Sequence, residues 1–292
     1  MKTFTQGIKN RIKRAMLPKV HITYPDKETC PVFIIGTNRS GTSVVSRILS
    51  QHPDLEGLFE GNEKPQFKDG AKHATGYCES YHLWTWLNSI DSEFHSGGEN
   101  APLWCHPQYI SQNYRSSTRN KKEAIDLLNS VEKYRETNRI PLIKDQLNLL
   151  RLGMLKEIYP NAKIIFVYRN FDDYLPSCDD TWYASKNLKN SLSIGQHWLT
   201  GNQIALYDLK TYFPDSYYIL NYNDLLTKEN IRDSVLNDLL KKFYLKQFKF
   251  NTEMISNQFR FNKEKGESRI RVDEDYLEKV YRFEKEFLNA KT

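Results

Sequence analysis

The sequence predicts a single α/β domain with a central, mostly parallel sheet flanked by helices. Short apolar runs alternate with longer segments of helical periodicity, which is the pattern of parallel strands joined by crossover helices. Two of the runs, 31–36 and 162–169, are almost entirely apolar, as strands covered on both faces must be. The chain of 292 residues is long enough to bury a sizeable core. We expect irregular insertions carrying substrate-contacting loops, mainly between residues 61 and 120.

The individual elements follow from turn residues and periodicity. Pro, Gly, Asn or Asp bounds each apolar run, and these residues favour turns over strands. The predicted strands are 31–36, 141–145, 162–169 and 216–222. The predicted helices are 42–51, 80–90, 121–136, 147–158, 171–184, 193–212, 229–243 and 273–288.

The composition favours a small anionic ligand. The 42 Lys and Arg residues exceed the 36 Asp and Glu residues and give a formal net charge of +6. This mild basic excess attracts anions but lacks the strongly basic character of a nucleic-acid-binding domain, so we expect no nucleic-acid partner. The four cysteines contain no C-x-x-C pair and the seven histidines are scattered, so no metal site is predicted.

Residues 1–29 form a basic segment ahead of the main domain, which spans residues 30–292. Apolar residues recur in the segment at helical spacing, with Lys and Arg between them. Such a helix either docks on its own domain or lies on anionic lipid through residues 1–17. No apolar run approaches the roughly 20 residues that span a bilayer, and no secretory signal is evident. We expect a cytoplasmic protein, at most membrane-peripheral, or a Golgi-lumenal one if the sequence lacks its anchor.

An anion-binding loop follows the first predicted strand. Residues 36–43 read GTNRSGTS, so that a buried strand ends at a glycine and a helix begins with its amide groups and positive dipole end directed outward. A loop for nucleoside triphosphates has the form G-x-x-x-x-G-K-[ST]. Here Thr42 replaces the lysine, and Arg39 lies within the loop. This P-loop-like domain is expected to bind a 5′-phosphate that carries a group of lower charge than a γ-phosphate.

A second phosphate-binding element follows the strand at 162–169. Arg169 ends that strand, and Ser177 lies eight residues further along in a predicted helix. Alternatively, Arg169 pairs with Asp172 or Asp173, and Ser177 only packs. Two phosphate sites, one for a 5′ group and one elsewhere on the sugar, describe 3′-phosphoadenosine 5′-phosphosulfate (PAPS).

Together the two elements resemble the cofactor motifs of the PAPS-dependent sulfotransferases. The form of the loop and the following His52-Pro53-Asp54 is most similar to tyrosylprotein sulfotransferases and related bacterial sulfotransferases. The resemblance implies that Arg169 and Ser177 bind the 3′-phosphate and that Tyr222 lies near the cofactor. It also implies that the 5′-phosphosulfate is bound by Arg39, Ser40, Gly41, Thr42 and Ser43.

The resemblance also implies catalytic residues. An ungapped comparison places the presumed base at Glu60, 21 residues after Arg39, and a catalytic cation at Lys144, 25 residues before Arg169. Arg39 is the second catalytic cation. Three residues compete with Glu60 as the base, and Lys144 has the alternative of pairing with Asp145 or with a helix C-terminus. The competitors are His52, Glu56 and Glu63.

A late basic loop is a further candidate for the cofactor site. Lys265 and Arg269 correspond to a family loop that closes over the 3′-phosphate, although a solvated basic turn would have the same composition. The resemblance therefore predicts transfer of a sulfuryl group from PAPS, as co-substrate and without a metal, to a small-molecule or glycan acceptor. We favour a carbohydrate or glycolipid hydroxyl. The alternatives are a tyrosine or phenol acceptor, a P-loop small-molecule kinase and a non-catalytic nucleotide-binding protein.

Overall fold

The computed structural model describes residues 30–59, 131, 135, 137–178, 191–253, 255 and 270–289. Within these ranges, no helix has both the length and the apolar character needed to cross a membrane.

Parallel strands form the centre of the domain. They are β1 (Val32–Ile35), β2 (Leu55–Gly57), β3 (Ile140–Lys144), β4 (Lys163–Tyr168) and β5 (Tyr217–Asn221). Among the described residues these strands make one five-stranded sheet in the order β2-β3-β1-β4-β5. All pairings are parallel, and the register aligns Ile34 of β1 with Lys144 of β3 and Ile165 of β4. The loops that follow β1, β3 and β4 therefore meet at one edge, the carboxyl edge of the sheet.

Helices cover both faces of the sheet. They are α1 (Thr42–Leu49), a 3₁₀ helix (Gln146–Leu150), α2 (Leu152–Ile158), α3 (Phe171–Cys178), α4 (Ser191–Tyr212), α5 (Tyr222–Leu225), α6 (Glu229–Lys242) and α7 (Glu274–Asn289). Successive β1 side chains point to opposite faces. Phe33 and Ile35 pack with α2, α4 and α7, whereas Val32 and Ile34 pack with α1 and α6. All four side chains are fully buried, which explains the continuous apolar run.

The predicted fold class is confirmed, and each of the four predicted strands is present with its ends shifted by one residue. β2 was not predicted because three residues are too few to show a periodicity.

The prediction of one continuous helix over residues 147–158 is wrong. The chain leaves helical geometry at Arg151 (φ −118°), whose buried guanidinium hydrogen-bonds to Asp145. Predicted helix 80–90 and nearly all of 121–136 lie outside the described residues, and the boundary at residues 29 and 30 stays a prediction.

Candidate active site

The loop between β1 and α1 requires glycine at both of its ends. A Cβ atom on Gly36 would lie 2.6 Å from both the Ser40 hydroxyl oxygen and the Val167 carbonyl oxygen. Gly41 has a φ of 100°, and a Cβ there would lie 2.3 Å from the ring of Tyr222. The loop is therefore pressed against β4 and α5 so closely that no side chain fits at either position.

Arg39 is the centre of this loop and connects it to the second element. Its backbone has a φ of 67°, a left-handed conformation that a bulky residue adopts only when its surroundings hold it there. Its Nε donates a hydrogen bond to the Ser177 carbonyl oxygen (2.9 Å). In return, the Arg169 Nη1 donates to the Arg39 carbonyl oxygen (3.0 Å). The two elements identified separately in the sequence thus form one continuous site at the carboxyl edge.

Arg169 is nearly buried and faces an aromatic ring. The residue as a whole is 6% exposed. Its guanidinium carbon lies 5.2 Å from the centre of the Tyr222 ring, which is a cation–π distance. Burial lowers the pKa of Arg169 from its usual value, but arginine remains protonated in proteins. Asp172 and Asp173 accept hydrogen bonds from Tyr281 and Asn223. The site therefore contains a buried positive charge for which a ligand anion is a suitable partner.

Several buried polar atoms of the site have no hydrogen-bond partner within the described part of the chain. They are the Thr37 Oγ1, the Ser40 Oγ and the Arg169 Nε. Buried polar atoms are ordinarily satisfied, and the first amide groups of α1 also lack intrahelical acceptors. These donors converge on the same loop, so the residues present fit a phosphate or phosphosulfate group.

Lys144 ends β3 beside the start of α1. The side chain is fully buried, and its Nζ donates to the Ser43 hydroxyl oxygen (3.2 Å). Asp145, the alternative partner, forms a buried ion pair with Arg151 (3.0 Å). Lys144 therefore extends toward the anion-binding loop, the position from which its charge can reach a ligand held by α1.

Ser177 lies next to both arginines, but its hydroxyl is engaged within its own helix. The Ser177 Oγ donates to the Tyr174 carbonyl oxygen (2.5 Å), and the residue is 2% exposed. The hydroxyl has a single hydrogen. It must leave Tyr174 before it can donate to a phosphate, although its carbonyl already orients Arg39.

Two of the alternative bases have structural roles. The His52 Nδ1 accepts from the Asp54 amide (3.1 Å), and its Nε2 donates to the Lys246 carbonyl (2.9 Å), so both ring nitrogens are occupied. The Glu56 carboxylate accepts from the amide and the hydroxyl of Thr137, at the start of β3 and away from the carboxyl edge. The interpretation of either residue as the base therefore has no geometric support.

The remaining predicted site residues lie beyond the described ranges. They are Glu60, Glu63, Lys265 and Arg269, and their assignments stay predictions.

Helix α4 supports both candidate anion-binding elements, a role that no sequence motif indicated. The Trp198 indole donates to the Arg169 carbonyl oxygen (3.0 Å). A Cβ on Gly201 would lie 2.8 Å from the Thr37 methyl group, so the helix passes directly over the loop. Both contacts join residues distant in the chain, which is why local periodicity gave no signal for them.

Helix α7 fixes the start of α3. The Glu284 carboxylate accepts hydrogen bonds from the Phe171 amide (2.9 Å) and the Tyr168 hydroxyl (2.7 Å). An acidic group at a helix N-terminus stabilises the helix through its free amides and its dipole. Glu284 thus holds the helix that carries Ser177, although it lies more than one hundred residues further along the chain.

Fold and site together define a P-loop-like α/β protein whose anion-binding loop lacks the triphosphate lysine. A sequence model of the sulfotransferase family matches residues 31–232, well over half of the chain. The chain belongs to the sulfotransferase family. This range includes Arg39, Lys144 and Arg169.

The chain is also similar to solved structures of sulfotransferases. The chain is similar to STF9 from Mycobacterium avium (12% identity, TM-score 0.52, covering 98% of this chain and 80% of that one). Lower TM-scores were found for STF1 from Mycobacterium tuberculosis (0.43, 16% identity, 88% and 79% coverage) and the sulfotransferase domain of the curacin biosynthetic pathway (0.49, 12% identity, 87% and 97%). The STF9 similarity supports the fold alone. No curated protein matched the sequence.

Proposed function

We propose that the protein transfers a sulfuryl group from PAPS to an acceptor hydroxyl. The observation that carries this proposal is the hydrogen bond from the Arg169 guanidinium to the Arg39 carbonyl, because it joins two anion-binding elements into one site. A ribose with phosphate groups at both the 5′ and 3′ positions suits two adjacent elements. The unpartnered buried atoms of Ser40 and Arg169 support an anionic ligand of this kind.

The residues of the loop stabilise the departing nucleotide. By analogy with phosphoryl transfer, sulfuryl transfer passes through a loose, in-line transition state in which positioning and electrostatics supply most of the rate. Lys144 and Arg39 offset the charge that develops on the leaving phosphate oxygen, together with the Ser40 and Ser43 hydroxyls. The amides of Gly41 and Thr42 add donors from the helix N-terminus. No metal ion is required in this scheme.

Glu60 takes the proton from the acceptor hydroxyl. A carboxylate base contributes roughly 10² to 10⁴-fold to such reactions. Glu60 comes three residues after the end of β2. Because β2 is parallel to its neighbours, its carboxyl end lies at the same edge of the sheet as Arg39. This connectivity favours Glu60 over Glu56, which is bonded to Thr137.

The second element holds the 3′-phosphate. Arg169 supplies the charge, Ser177 a hydroxyl, and Lys265 and Arg269 close the site from the late basic loop. Tyr222 supports the arrangement through its ring, which contacts both Arg169 and Gly41.

The acceptor that we propose is a carbohydrate or glycolipid hydroxyl. Trp84, Trp86 and Trp104, in the stretch that the sequence predicts to be irregular, offer the aromatic surfaces on which sugar rings pack. A tyrosine or phenol is the second candidate acceptor, because the same surfaces suit an aromatic ring. Glu60 is followed by Gly61-Asn62-Glu63, which departs from the Glu-Thr-Arg run of the tyrosylprotein enzymes and favours the carbohydrate.

Calorimetry and a transfer assay test the proposal. We expect 3′-phosphoadenosine 5′-phosphate to bind in EDTA and ATP to bind weakly with or without Mg²⁺. Transfer of ³⁵S from labelled PAPS to an array of glycans, glycolipids, phenols and tyrosine peptides then identifies the acceptor. Mg²⁺-dependent ATP binding would favour a small-molecule kinase. Nucleotide binding without PAPS hydrolysis or transfer to any acceptor would favour a non-catalytic protein.

A further inference from the structure

A lysine-rich segment crosses the edge of the sheet opposite the candidate active site. At this amino edge the parallel strands begin. Lys163, the first residue of β4, donates to the Phe243 carbonyl oxygen. Further along, the Lys246 carbonyl accepts from His52, and Asn251 exchanges two backbone hydrogen bonds with the Gln51 side chain (3.0 and 2.8 Å). Residues 243–251 therefore run from the start of β4 to the residues that precede β2.

The segment holds apolar side chains inward and basic ones outward. Phe243, Leu245 and Phe250 are buried, which fixes the backbone against the domain. The lysines on the outer side are all exposed. They are Lys246 and Lys249, joined by Lys241 and Lys242 at the end of α6, and residues 241–250 contain no Asp or Glu. Together with Arg139, which is exposed at the start of β3, these four lysines are called the basic edge below.

Carboxylates near the basic edge neutralise little of its positive charge. Lys246 lies 3.9 Å from Asp54, but the Lys246 side chain is 83% exposed, and exposed pairs of this kind are weak. Asp238 and Glu253 are exposed on either side of the segment. Within the described ranges, the five cations of the basic edge still outnumber the carboxylates at this edge that are not buried, which are Asp54, Asp238, Glu253 and Asp215, the last of these lying just before β5.

Tyr244 projects from the basic edge into solvent. It is 93% exposed and has a positive φ of 56°. It lies just after the C-cap of α6, at the position where glycine is the preferred residue because it adopts a positive φ without strain. Neither burial nor backbone preference explains a large aromatic residue there. Tyrosine combines an apolar ring with a polar tip and is enriched where protein meets the lipid headgroups.

The basic N-terminal segment joins the domain at the same edge. The Pro31 carbonyl oxygen accepts from the Lys163 amide (3.0 Å), so the chain enters β1 beside the lysine-rich segment. Residues 1–29 contain seven Lys or Arg and two Asp or Glu. Basic charge therefore continues from the domain surface into the preceding sequence.

We propose that the basic edge, with Tyr244, docks on a bilayer containing anionic phospholipid. Clusters of four to eight basic residues bind such surfaces electrostatically, and the tyrosine ring enters the headgroup layer. In this orientation the carboxyl edge faces the aqueous phase, about 20 Å from the headgroups for strands of this length. The inference stands apart from the transfer reaction and does not depend on it.

Vesicle sedimentation of the full-length protein tests this surface. We expect binding to vesicles of phosphatidylcholine with phosphatidylserine, little binding to phosphatidylcholine alone, and release as salt is added. The double variant Lys246→Glu, Lys249→Glu should bind the anionic vesicles about 30-fold or more weakly. The matched control is Lys279→Glu, Lys285→Glu, which makes the same change of charge at exposed positions on α7 and should bind as the wild type does.

A second variant separates docking from folding. Tyr244→Gly suits the positive φ and should keep or raise stability in urea unfolding, while it weakens vesicle binding at unchanged charge. The proposal is wrong if the Lys246→Glu, Lys249→Glu protein binds anionic vesicles as tightly as the wild type, or if uncharged vesicles bind equally well. Tight, lysine-dependent binding of a labelled RNA oligomer without binding to the anionic vesicles would overturn it in favour of a soluble polyanion.

Discussion

The Arg169 guanidinium donates to the main-chain carbonyl of Arg39 at 3.0 Å, across 130 residues of sequence. Because the Arg39 side chain in turn donates to the Ser177 carbonyl, each of the two proposed anion-binding elements orients the other. A ligand that binds one element will therefore find the other already positioned, which reduces the ordering cost of binding.

Loss of Arg169 should weaken nucleotide binding strongly, and loss of the Ser177 hydroxyl more weakly. A hydrogen bond to a charged group contributes about 1.5 to 3 kcal/mol, so Arg169→Ala should raise the Kd for 3′-phosphoadenosine 5′-phosphate roughly 10- to 150-fold. Ser177→Ala should cost less, because that hydroxyl must first leave Tyr174. Calorimetry measures both changes.

Two matched controls accompany these variants. Arg282→Ala removes an exposed arginine from α7, and Ser50→Ala removes an exposed hydroxyl that bonds a carbonyl three residues earlier, as Ser177 does. Both should leave the Kd unchanged. Wild-type affinity in Arg169→Ala and Ser177→Ala would locate the 3′-phosphate elsewhere.

Glu60→Gln should lower turnover by roughly 10² to 10⁴-fold with cofactor affinity near that of the wild type. The amide keeps the shape of the carboxylate but cannot accept the acceptor's proton. Glu56→Gln should instead reduce stability through its bonds to Thr137, with turnover of the folded protein maintained. If Glu60→Gln retains full turnover on an acceptor hydroxyl with a pKa well above 7, in a reaction limited by chemistry, Glu63 becomes the next candidate.

Removing the charge of Lys144 should lower turnover in a way that a more acidic acceptor does not rescue. Lys144 is proposed to stabilise the leaving group, whereas Glu60 acts on the acceptor, so an acidic acceptor should partly rescue only Glu60→Gln. Because Lys144 is fully buried, Lys144→Met accompanies Lys144→Ala and preserves most of the side-chain volume. Turnover of both variants against acceptors of graded pKa gives the comparison, and rescue of Lys144→Met would contradict the assignment.

Gly41→Ala should destabilise the domain and disrupt the loop. The alanine would have to adopt a φ of 100° with its Cβ 2.3 Å from the Tyr222 ring, and such backbone strain costs about 1 to 3 kcal/mol. Urea unfolding and nucleotide titration should both show the loss. Gly195→Ala is the control, since its φ is not positive and its Cβ would meet side-chain atoms of Tyr276 at 3.0 Å and Val272 at 3.4 Å.

The stability that depends on Glu284 should fall as the pH rises. Burial is the main cause that raises the pKa of Glu284 above its ordinary value of 4.5, with Asp172 and Asp173 adding to it. The folded protein therefore holds this proton more tightly than the unfolded chain does. Relative to Glu284→Gln, the wild-type free energy of unfolding should decrease from the ordinary pKa up to the raised one.

Urea unfolding at several pH values measures this difference. The control is Glu286→Gln, an exposed position on the same helix, which should follow the wild-type curve. A wild-type curve that rises relative to Glu284→Gln over the same range would show that the hydrogen bonds from Tyr168 and Phe171 outweigh burial.

The sequence by itself predicted four of the five strands and singled out the two candidate anion-binding elements. Residues 31–36 and 162–169 are almost entirely apolar because both faces of those strands are buried, and the loop glycines and Arg39 are local features of a strand-to-helix turn. Arg169 and Ser177 were predicted from spacing within one short segment. These features depend on neighbours in the chain, which is why a pattern could reveal them.

Only the tertiary structure decided how these parts act together. The bond from Arg169 to Arg39, the pairing of Asp145 with Arg151 and the support from Trp198 all depend on packing between distant segments. Packing also gave His52 a structural role, because its two nitrogens meet the Asp54 amide and the Lys246 carbonyl. Periodicity reports which face of an element is buried, whereas the partner of a buried polar atom is fixed only when those faces come together.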